Sequence, residues 1–438
     1  MRRVRSFFGG IHPKDAKKSS SGTPIEHLSA PETLVVSLLQ HSGLEAQPVV
    51  AKGDEVLKGQ VLAAAHGAVS APVHSPVSGK VLAIEPRAHQ SGQSITAIVI
   101  ENDGSDTWVE RSGHEDPVQL DAKTIIERIK EAGIVGMGGE GFPTAHKLVP
   151  PEGITLDYLI INGCECDPYS TADARLMIEH SEDIILGAQL MAKVSGARKV
   201  VIALEDNTPE AYAALKEKAG AIEIVTMPSK YPGGGEKQLI QFLTGREVPS
   251  GGMSYQVGVL VQNVATAWAV ARALRDGEPS ISRVVTVTGK PIAQPQNFMV
   301  PIGTMLEDLI QAAGGFSQRP GKVVMGGALV GAAQYDLQTP VMKTTSCVIA
   351  FDEAESRTPD ATPCIKCARC VDVCPAHLLP LKLEAFGMNE RFDDAREFGA
   401  LDCIECGACN YICPAKRPLL QYIRFAKMEI IARDKKPS

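Results

Sequence analysis

Eight of the eleven cysteines in this 438-residue chain fall between Cys364 and Cys413. They form two copies of C-x2-C-x2-C-x3-C-P. The first is Cys364, Cys367, Cys370 and Cys374 with Pro375; the second is Cys403, Cys406, Cys409 and Cys413 with Pro414, each position shifted by 39 (403 − 364). Three thiolates at that spacing wrap one cubane, and the fourth, set off by its proline turn, reaches the other cluster. The spacing predicts two 4Fe-4S clusters, one on Cys364, Cys367, Cys370 and Cys413, the other on Cys403, Cys406, Cys409 and Cys374. Paired zinc sites are the competing reading. Zinc sites use two separated C-x2-C pairs and have no use for doubled tetrads each followed by proline. The chemistry is one-electron transfer.

A second pattern is rich in glycine. Gly136, Gly138, Gly139 and Gly141 fall within six residues, and Pro143 follows as a first helical residue. Glycines let backbone N–H groups approach a phosphate or a ring, and a following helix N-terminus favours anionic charge. Gly136, Gly138 and Gly141 fit G-x-G-x-x-G, a weak match when it stands alone. Asn162-Gly163-Cys164-Glu165-Cys166-Asp167-Pro168 follows a predicted strand, where ligand loops sit. Its C-x-C pair has no third ligand nearby and reads as packing. Tyr231-Pro232-Gly233-Gly234-Gly235-Glu236 is another glycine-rich turn, opening a helix with an acid at its start. The isolated histidines, His146 and His180 among them, carry no pattern.

Composition limits what surrounds these motifs. Lys plus Arg total 44 against 51 Asp plus Glu, a formal charge of −7, so no net positive field collects nucleic acid. The 44% hydrophobic and 22% charged content is that of a folded chain, and its length suggests about three domains. Outside the cassettes only Cys164, Cys166 and Cys347 remain, which excludes a disulfide scaffold. The basic start, Met1 to Phe8, runs into Gly9-Gly10-Ile11-His12-Pro13 with no apolar core behind it, so export is not expected. No apolar run approaches the ~20 residues of a membrane span. A cytoplasmic chain follows, with its basic, Phe-containing start a candidate contact toward a membrane through a partner.

The elements change along the chain. Residues 1–30 read as an extended arm, and residues 31–101 as short strands between tight turns. Asp121 caps a predicted helix with Ile125, Ile126 and Ile129 on its apolar face, stopped by Gly133. Then come a strand over 156–161, one long helix over 171–194, a strand over 199–204, a helix over 209–218 and a strand over 222–225: an α/β layer with a largely parallel sheet. Residues 283–345 return to short strands around one helix at 305–313, and the cassettes lie among helices, one over 378–386.

Phe8-Gly9-Gly10-Ile11-His12-Pro13, the glycine loop, Asn162 to Pro168 and the two cassettes together resemble the RnfC family of the Rnf electron-transport complex, over nearly the whole chain and in the family's order. The turns around Gly53 and Gly79 are similar to the barrel-sandwich fold of biotinyl and lipoyl carriers. No Lys lies between Lys58 and Lys80, which favours docking over a swinging arm. The centre is also similar to the flavin-bearing NADH-oxidising subunit of respiratory complex I. The resemblance implies a multidomain α/β and α+β chain: arm 1–30, barrel-sandwich domain 31–115, Rossmann-like FMN/NADH domain 120–275, SLBB-like β-grasp module 280–350 and helical dicluster ferredoxin domain 355–435.

It also implies cofactor positions. Gly136, Gly138, Gly139 and Lys147 would surround a non-covalent FMN, with Gly141 in the same loop; Asn162 and Glu165 would lie near its ring and ribityl chain, with Asp167 a further cofactor-binding residue of that loop. Tyr231, Gly234 and Glu236 match a second flavin and nicotinamide loop. Asn263 matches a phosphate-side asparagine, and Phe142 would stack on the dinucleotide. The complex I subunit has Arg at the position of Met137, an acid at Cys164 and Glu at Gly235.

Hydride exchange with a flavin needs alignment rather than a side-chain acid or base, so no catalytic residue is assigned. The implied path runs from NAD(H) through FMN and two clusters to membrane subunits, linked by partner subunits to ferredoxin, with the chain peripheral on the cytoplasmic face of the cell membrane. Two other classes fit some of the motifs. A flavin/iron–sulfur cobalamin reductase shares the flavin loop, β-grasp module and cassettes, whereas the Phe8 to Pro13 arm favours the Rnf reading. A flavin-free relay module would carry iron and sulfide without FMN.

Overall fold

The computed structural model describes residues 6–435. The chain divides into two compact units. The larger holds Asp15–Thr226 and Gly258–Ser356; the smaller is assembled from the chain up to Lys14, Met227–Val257 and the chain from Arg357. Residues 1–5, the basic start singled out in the sequence, lie outside the described residues.

In the larger unit, the first layer is all-β. Strands Thr33–Ser37, Ser94–Asn102, Gly79–Ala88 and Glu55–Val56 form one antiparallel sheet in that order; Gln47–Pro48, Val61–Ala64 and Val73–His74 form a second. Alternating side chains, Leu34, Val36, Leu62, Val81, Ile98 and Ile100, fill the space between them. The opposite face of Thr33–Ser37 is buried too, Val35 packing with Ala97, Val99 and Met305.

The α/β layer follows. Its four-stranded sheet has the order Glu223–Met227, Lys199–Glu205, Tyr158–Gly163, Val259–Asn263, and the last three strands are parallel, with Ile160 facing Val201 and Val261. Asp121 caps helix Ala122–Glu131 by accepting from Thr124 N, and helix Pro209–Lys218 has the bounds read from sequence. The first strand runs two residues later than expected.

The expected single helix over 171–194 is two helices, Ala172–Glu179 and Ser181–Ser195, broken at His180 with φ −126° and ψ 34°. Packing is the reason. Gly187 of the second helix lies so close to helix Val264–Arg275 that a Cβ there would sit 1.8 Å from the Ala267 carbonyl oxygen. Asp183 in its first turn also pairs with Arg275.

Residues 282–351 form the α+β module. Its six-stranded sheet has the order Glu26–His27, Gln296–Pro301, Ser282–Thr288, Cys347–Phe351, Lys322–Met325, Ala332–Gln334, with helix Leu306–Ala312 packed on Val285, Phe298, Val300 and Val348. Part of the arm is built into this sheet, Glu26 pairing with Phe298 in parallel. Lys343 is fully buried, and its ammonium donates to the carbonyls of Pro72 and Gly133, tying the module to the barrel-sandwich strands and to the turn before the glycine loop.

The smaller unit is mostly helical. Helices Pro380–Met388, Phe392–Glu397 and Leu419–Lys435 bury Leu383, Phe386, Phe392, Ala395, Ile423 and Ile430 together. Full burial of each Leu, Ile or Phe contributes roughly 1.5–3 kcal/mol. The first of these helices starts at Pro380, a proline at N1, two residues after the expected position. Arg417 and the buried Glu384 form an ion pair at 2.6 Å across this core.

Candidate functional site

The cysteines converge as two sets. Cys364, Cys367, Cys370 and Cys413 line one cavity; Cys374, Cys403, Cys406 and Cys409 line another. These are the interleaved sets that the spacing predicts, three thiols from one cassette and the fourth from the other. Among the described residues no three His, Cys, Asp or Glu side chains converge as donors to a single metal ion, and no disulfide forms. The thiols instead ring a volume.

The cassettes repeat in backbone as in sequence. Lys366 and Glu405, 39 apart, both take positive φ (56° and 57°), as do Ala368 and Gly407 (61° and 74°) and His377 and Lys416 (54° and 51°). The left-handed turns curl each loop so that Lys366 N donates to Cys364 Sγ at 3.3 Å and Glu405 N to Cys403 Sγ at 3.4 Å. N–H donors aimed at sulfur stabilise charge there and tune a cluster's potential. Burial pushes the Cys406 thiol up to about 11 and the Cys409 thiol up to about 12. Such buried thiols fit iron ligation, since the metal supplies the positive charge that keeps them thiolate.

The two cavities differ in setting. That of Cys374, Cys403, Cys406 and Cys409 is lined otherwise by apolar groups such as Leu378, Leu383 and Ile423, with no charged residue. That of Cys364 carries Lys366, Lys382 and Arg417 in its lining.

Also in the smaller unit, the N-terminal arm crosses the cassette. Phe8 stacks on His377 with ring centroids 4.3 Å apart, and Gly10 N donates to the Val373 carbonyl. Ile11 and Tyr231 exchange two backbone hydrogen bonds, and the Tyr231 hydroxyl donates to the Cys406 carbonyl at 2.6 Å. Gly9 has φ +71°, and a Cβ there would lie 2.8 Å from the Cys374 carbonyl carbon. Gly234 belongs to the same loop as Tyr231, and Glu236 starts helix Glu236–Thr244, whose N-cap is Gly235.

In the larger unit the glycine loop is closed on itself, Gly136 N donating to the Phe142 carbonyl and Gly141 N to the Gly136 carbonyl. Its back is held from several sides. Met137 N donates to Thr266 Oγ1 at 2.9 Å, Ser42 N to the Gly141 carbonyl, and the buried Arg283 guanidinium to the carbonyls of Lys343 and Met137. Its front is open. Gly138 and Gly139 are exposed, and a Cβ at Gly139 would meet nothing within 4 Å. Gly138 faces Asn263, whose side chain caps helix Val264–Arg275 by accepting from Ala265 N. A glycine turn beside a helix N-terminus fits the phosphate of a nucleotide cofactor such as FMN. Lys147 pairs with Glu140 of the loop at 2.8 Å, and Phe142 meets His146 edge-on at 6.5 Å.

The Asn162 loop adjoins. Asn162 Oδ1 accepts from Cys164 N. The Glu165 carboxylate points inward, accepting from Ser170 Oγ at 2.6 Å and from the backbone N–H groups of Asp173 and Ala174, so it caps helix Ala172–Glu179. Asp167 accepts from Tyr169 N and Ala328 N, bracing the loop against the α+β module, and burial raises its carboxyl. Asn263 Nδ2 donates to Asp173 at 2.7 Å. Burial, with Glu165 adding to it, lifts the Asp173 carboxyl to about 7.

Sequence reasoning missed Asp173, Thr266 and Arg283. The available signals were an acid in the first turn after Thr171 and an arginine inside the otherwise uncharged strand Ser282–Thr288.

Known proteins match in the same order. The RnfC barrel sandwich hybrid domain family matches residues 5–105, the Nuo51 FMN-binding domain family 129–272, the SLBB domain family 284–331 and the 4Fe-4S dicluster domain family 363–417. Glycine loop, capped helix and paired thiol sets, on these four domains, define a modular flavin- and iron–sulfur-binding redox subunit. The chain is 44% identical over 430 residues to the C component of the proton-translocating ferredoxin:NAD(+) oxidoreductase complex of Clostridium ljungdahlii, covering 97% of this chain and 94% of that one. It is 46% identical over 439 residues to the C component of the ion-translocating oxidoreductase complex of Erwinia tasmaniensis, covering 99% of this chain and 54% of that one. The chain belongs to this RnfC family, spanning nearly all of the clostridial relative and about half of the Erwinia one. Its fold resembles that in a crystal structure of an NAD+-reducing NiFe-hydrogenase in the H2-reduced state, with TM-score 0.51, 22% identity, and coverage of 73% of this chain and 63% of that one. Among the described residues no helix is long and apolar enough to cross a membrane.

Proposed function

We propose that this chain is the peripheral electron-transfer subunit of an ion-translocating ferredoxin:NAD+ oxidoreductase. In this reading it exchanges hydride with NAD(H) at a non-covalent FMN and passes single electrons through two 4Fe-4S clusters to membrane subunits on the cytoplasmic face, with ferredoxin linked through partner subunits. Bound FMN supplies the needed conversion, because it takes electrons in pairs and releases them singly.

The chain's own residues bind and align. The exposed Gly138 and Gly139 would present the loop to phosphate, with Asn263 at the helix cap, while Gly136 and Gly141, whose N–H groups close the loop on itself, would shape it around the cofactor. Lys147 would balance charge, Asn162 would lie near the ring and Phe142 against the dinucleotide. Glu165 and Asp167 act as positioning residues, since their carboxylates are engaged with backbone N–H groups of the loop's supports. Tyr231, Gly234 and Glu236 form the second cofactor loop. The five-part division at 1–30, 31–115, 120–275, 280–350 and 355–435 is part of the same proposal.

One observation carries it: two interleaved sets of four thiols ring two cavities in the same chain as an open glycine loop beside a capped helix N-terminus. The test is anaerobic purification with iron, sulfide and flavin assays, then a spectrum with and without NADH. About eight iron per chain and near one FMN, bleached by NADH, are expected. A flavin band that NADH leaves unchanged rejects the NAD(H) assignment.

A further inference from the structure

Resting on the two-cluster reading, we infer that the Cys364, Cys367, Cys370 and Cys413 site is the docking port for an electron-exchange protein whose contact face is acidic around an apolar centre. Tunnelling falls steeply with distance, so exchange between proteins uses the cluster nearest the surface. The loop between Cys364 and Arg369 is exposed, with Ile365 at 68% and Leu379 beside it at 42%. Cys374 and Cys409, by contrast, are buried among apolar side chains.

Charge then selects the partner. The outer cavity is lined by Lys366, Lys382 and Arg417 and by no carboxylate, with exposed Arg369 next to it. Arg417 is engaged by Glu384, whereas Lys366, Arg369 and Lys382 form no salt bridge among the described residues. Asp372 is the one exposed carboxylate between residues 361 and 378, and it does not line the cavity. An apolar centre with a cationic rim is the anatomy of a docking face for an acidic protein. The chain as a whole carries −7. Screening over ~8 Å at physiological salt leaves the local cations to govern approach, so an acidic partner is attracted here despite the chain's net negative charge.

The test uses anaerobically prepared holoprotein, reduced, freed of reductant, and mixed in a stopped-flow instrument with oxidised flavodoxin, an acidic carrier, or oxidised cytochrome c, a basic one. Each accepts one electron from a reduced cluster. Raising ionic strength to physiological levels should slow flavodoxin reduction by roughly 10-fold or more, and the K366E/R369E/K382E variant by about 10- to 100-fold, while cytochrome c reduction is unchanged or faster. K216E, at an exposed helix position of the larger unit, should alter neither rate. Iron content and the EPR spectrum are recorded first. An unmodified protein without two cluster signals rejects the cluster reading; a triple variant that loses iron is replaced by K366Q/K382Q, with a smaller slowing expected. Flavodoxin reduction insensitive to salt and to these substitutions, with both clusters present, overturns the docking inference.

Discussion

The Tyr231 hydroxyl donates a 2.6 Å hydrogen bond to the carbonyl of Cys406, a residue of the inner thiol set. The Tyr231 backbone is meanwhile bonded twice to Ile11, and Gly10 to Val373. A glycine-rich loop, the N-terminal arm and a ligand-bearing turn are thereby fixed by polar contacts between segments far apart in sequence, giving the proposed second cofactor loop a defined place beside the inner set.

Tyr231→Phe removes that donor and leaves the Cys406 carbonyl without it. The expected cost is about 1 kcal/mol, up to roughly 3 where water cannot replace the bond. Thermal unfolding and the rate of iron loss to a chelator measure it; unchanged values for both would mean that the bond does not hold the ligand turn.

Interleaving has its own signature. Cys413→Ala should remove the same EPR signal as Cys370→Ala, and Cys374→Ala the same signal as Cys409→Ala. If instead Cys374→Ala and Cys370→Ala abolish one common signal, each cassette holds its own cluster and the cavity assignment fails.

Gly9→Ala introduces a Cβ at φ +71° that meets the Cys374 backbone at 2.8 Å. Left-handed strain alone costs about 1–2 kcal/mol, and here the neighbour is backbone and cannot swing aside. Faster iron loss from the inner set is expected, with the outer signal retained; equal retention of both would show that the arm is not a clamp.

Asp173 gives a pH dependence. Its folded carboxyl is raised from 3.8 to about 7 by burial and by Glu165. Between those values the folded state holds a proton that the unfolded chain has lost, so stability falls as pH rises from about 4 to about 7 and levels off above. Asp173→Asn, able to accept from Asn263 through its carbonyl, should flatten that slope and unfold later than the parent above pH 7. Parallel curves for the two proteins would refute the raised carboxyl.

Lys343 has the opposite sign. Burial lowers its ammonium from 10.5 to about 7. Between about 7 and 10 the unfolded chain binds the extra proton, so stability rises with pH across that window. Lys343→Met should remove the slope and, by leaving the Pro72 and Gly133 carbonyls unmet, cost about 1–3 kcal/mol. Denaturant unfolding at several pH values reads both effects.

The sequence by itself determined what depends on short-range geometry. The cassettes were legible because cluster ligation fixes ligand spacing within a dozen residues, and the grouping of three thiols with a fourth from the other cassette, as in the two cavities, is what that spacing predicts. Helix Pro209–Lys218 and the Asp121 cap were legible because proline, cap residue and apolar period act within a turn or two. Only the tertiary structure decided the rest. The helix break at His180 answers to Ala267 and Arg275, on a helix far along the chain. The glycine loop's supports, Ser42, Thr266 and Arg283, come from three different layers, and Glu165 turned inward because a helix N-terminus needed a cap. A composition or a spacing cannot encode which distant backbone group a buried polar side chain will satisfy; that choice is made when the layers close and every buried donor must find an acceptor.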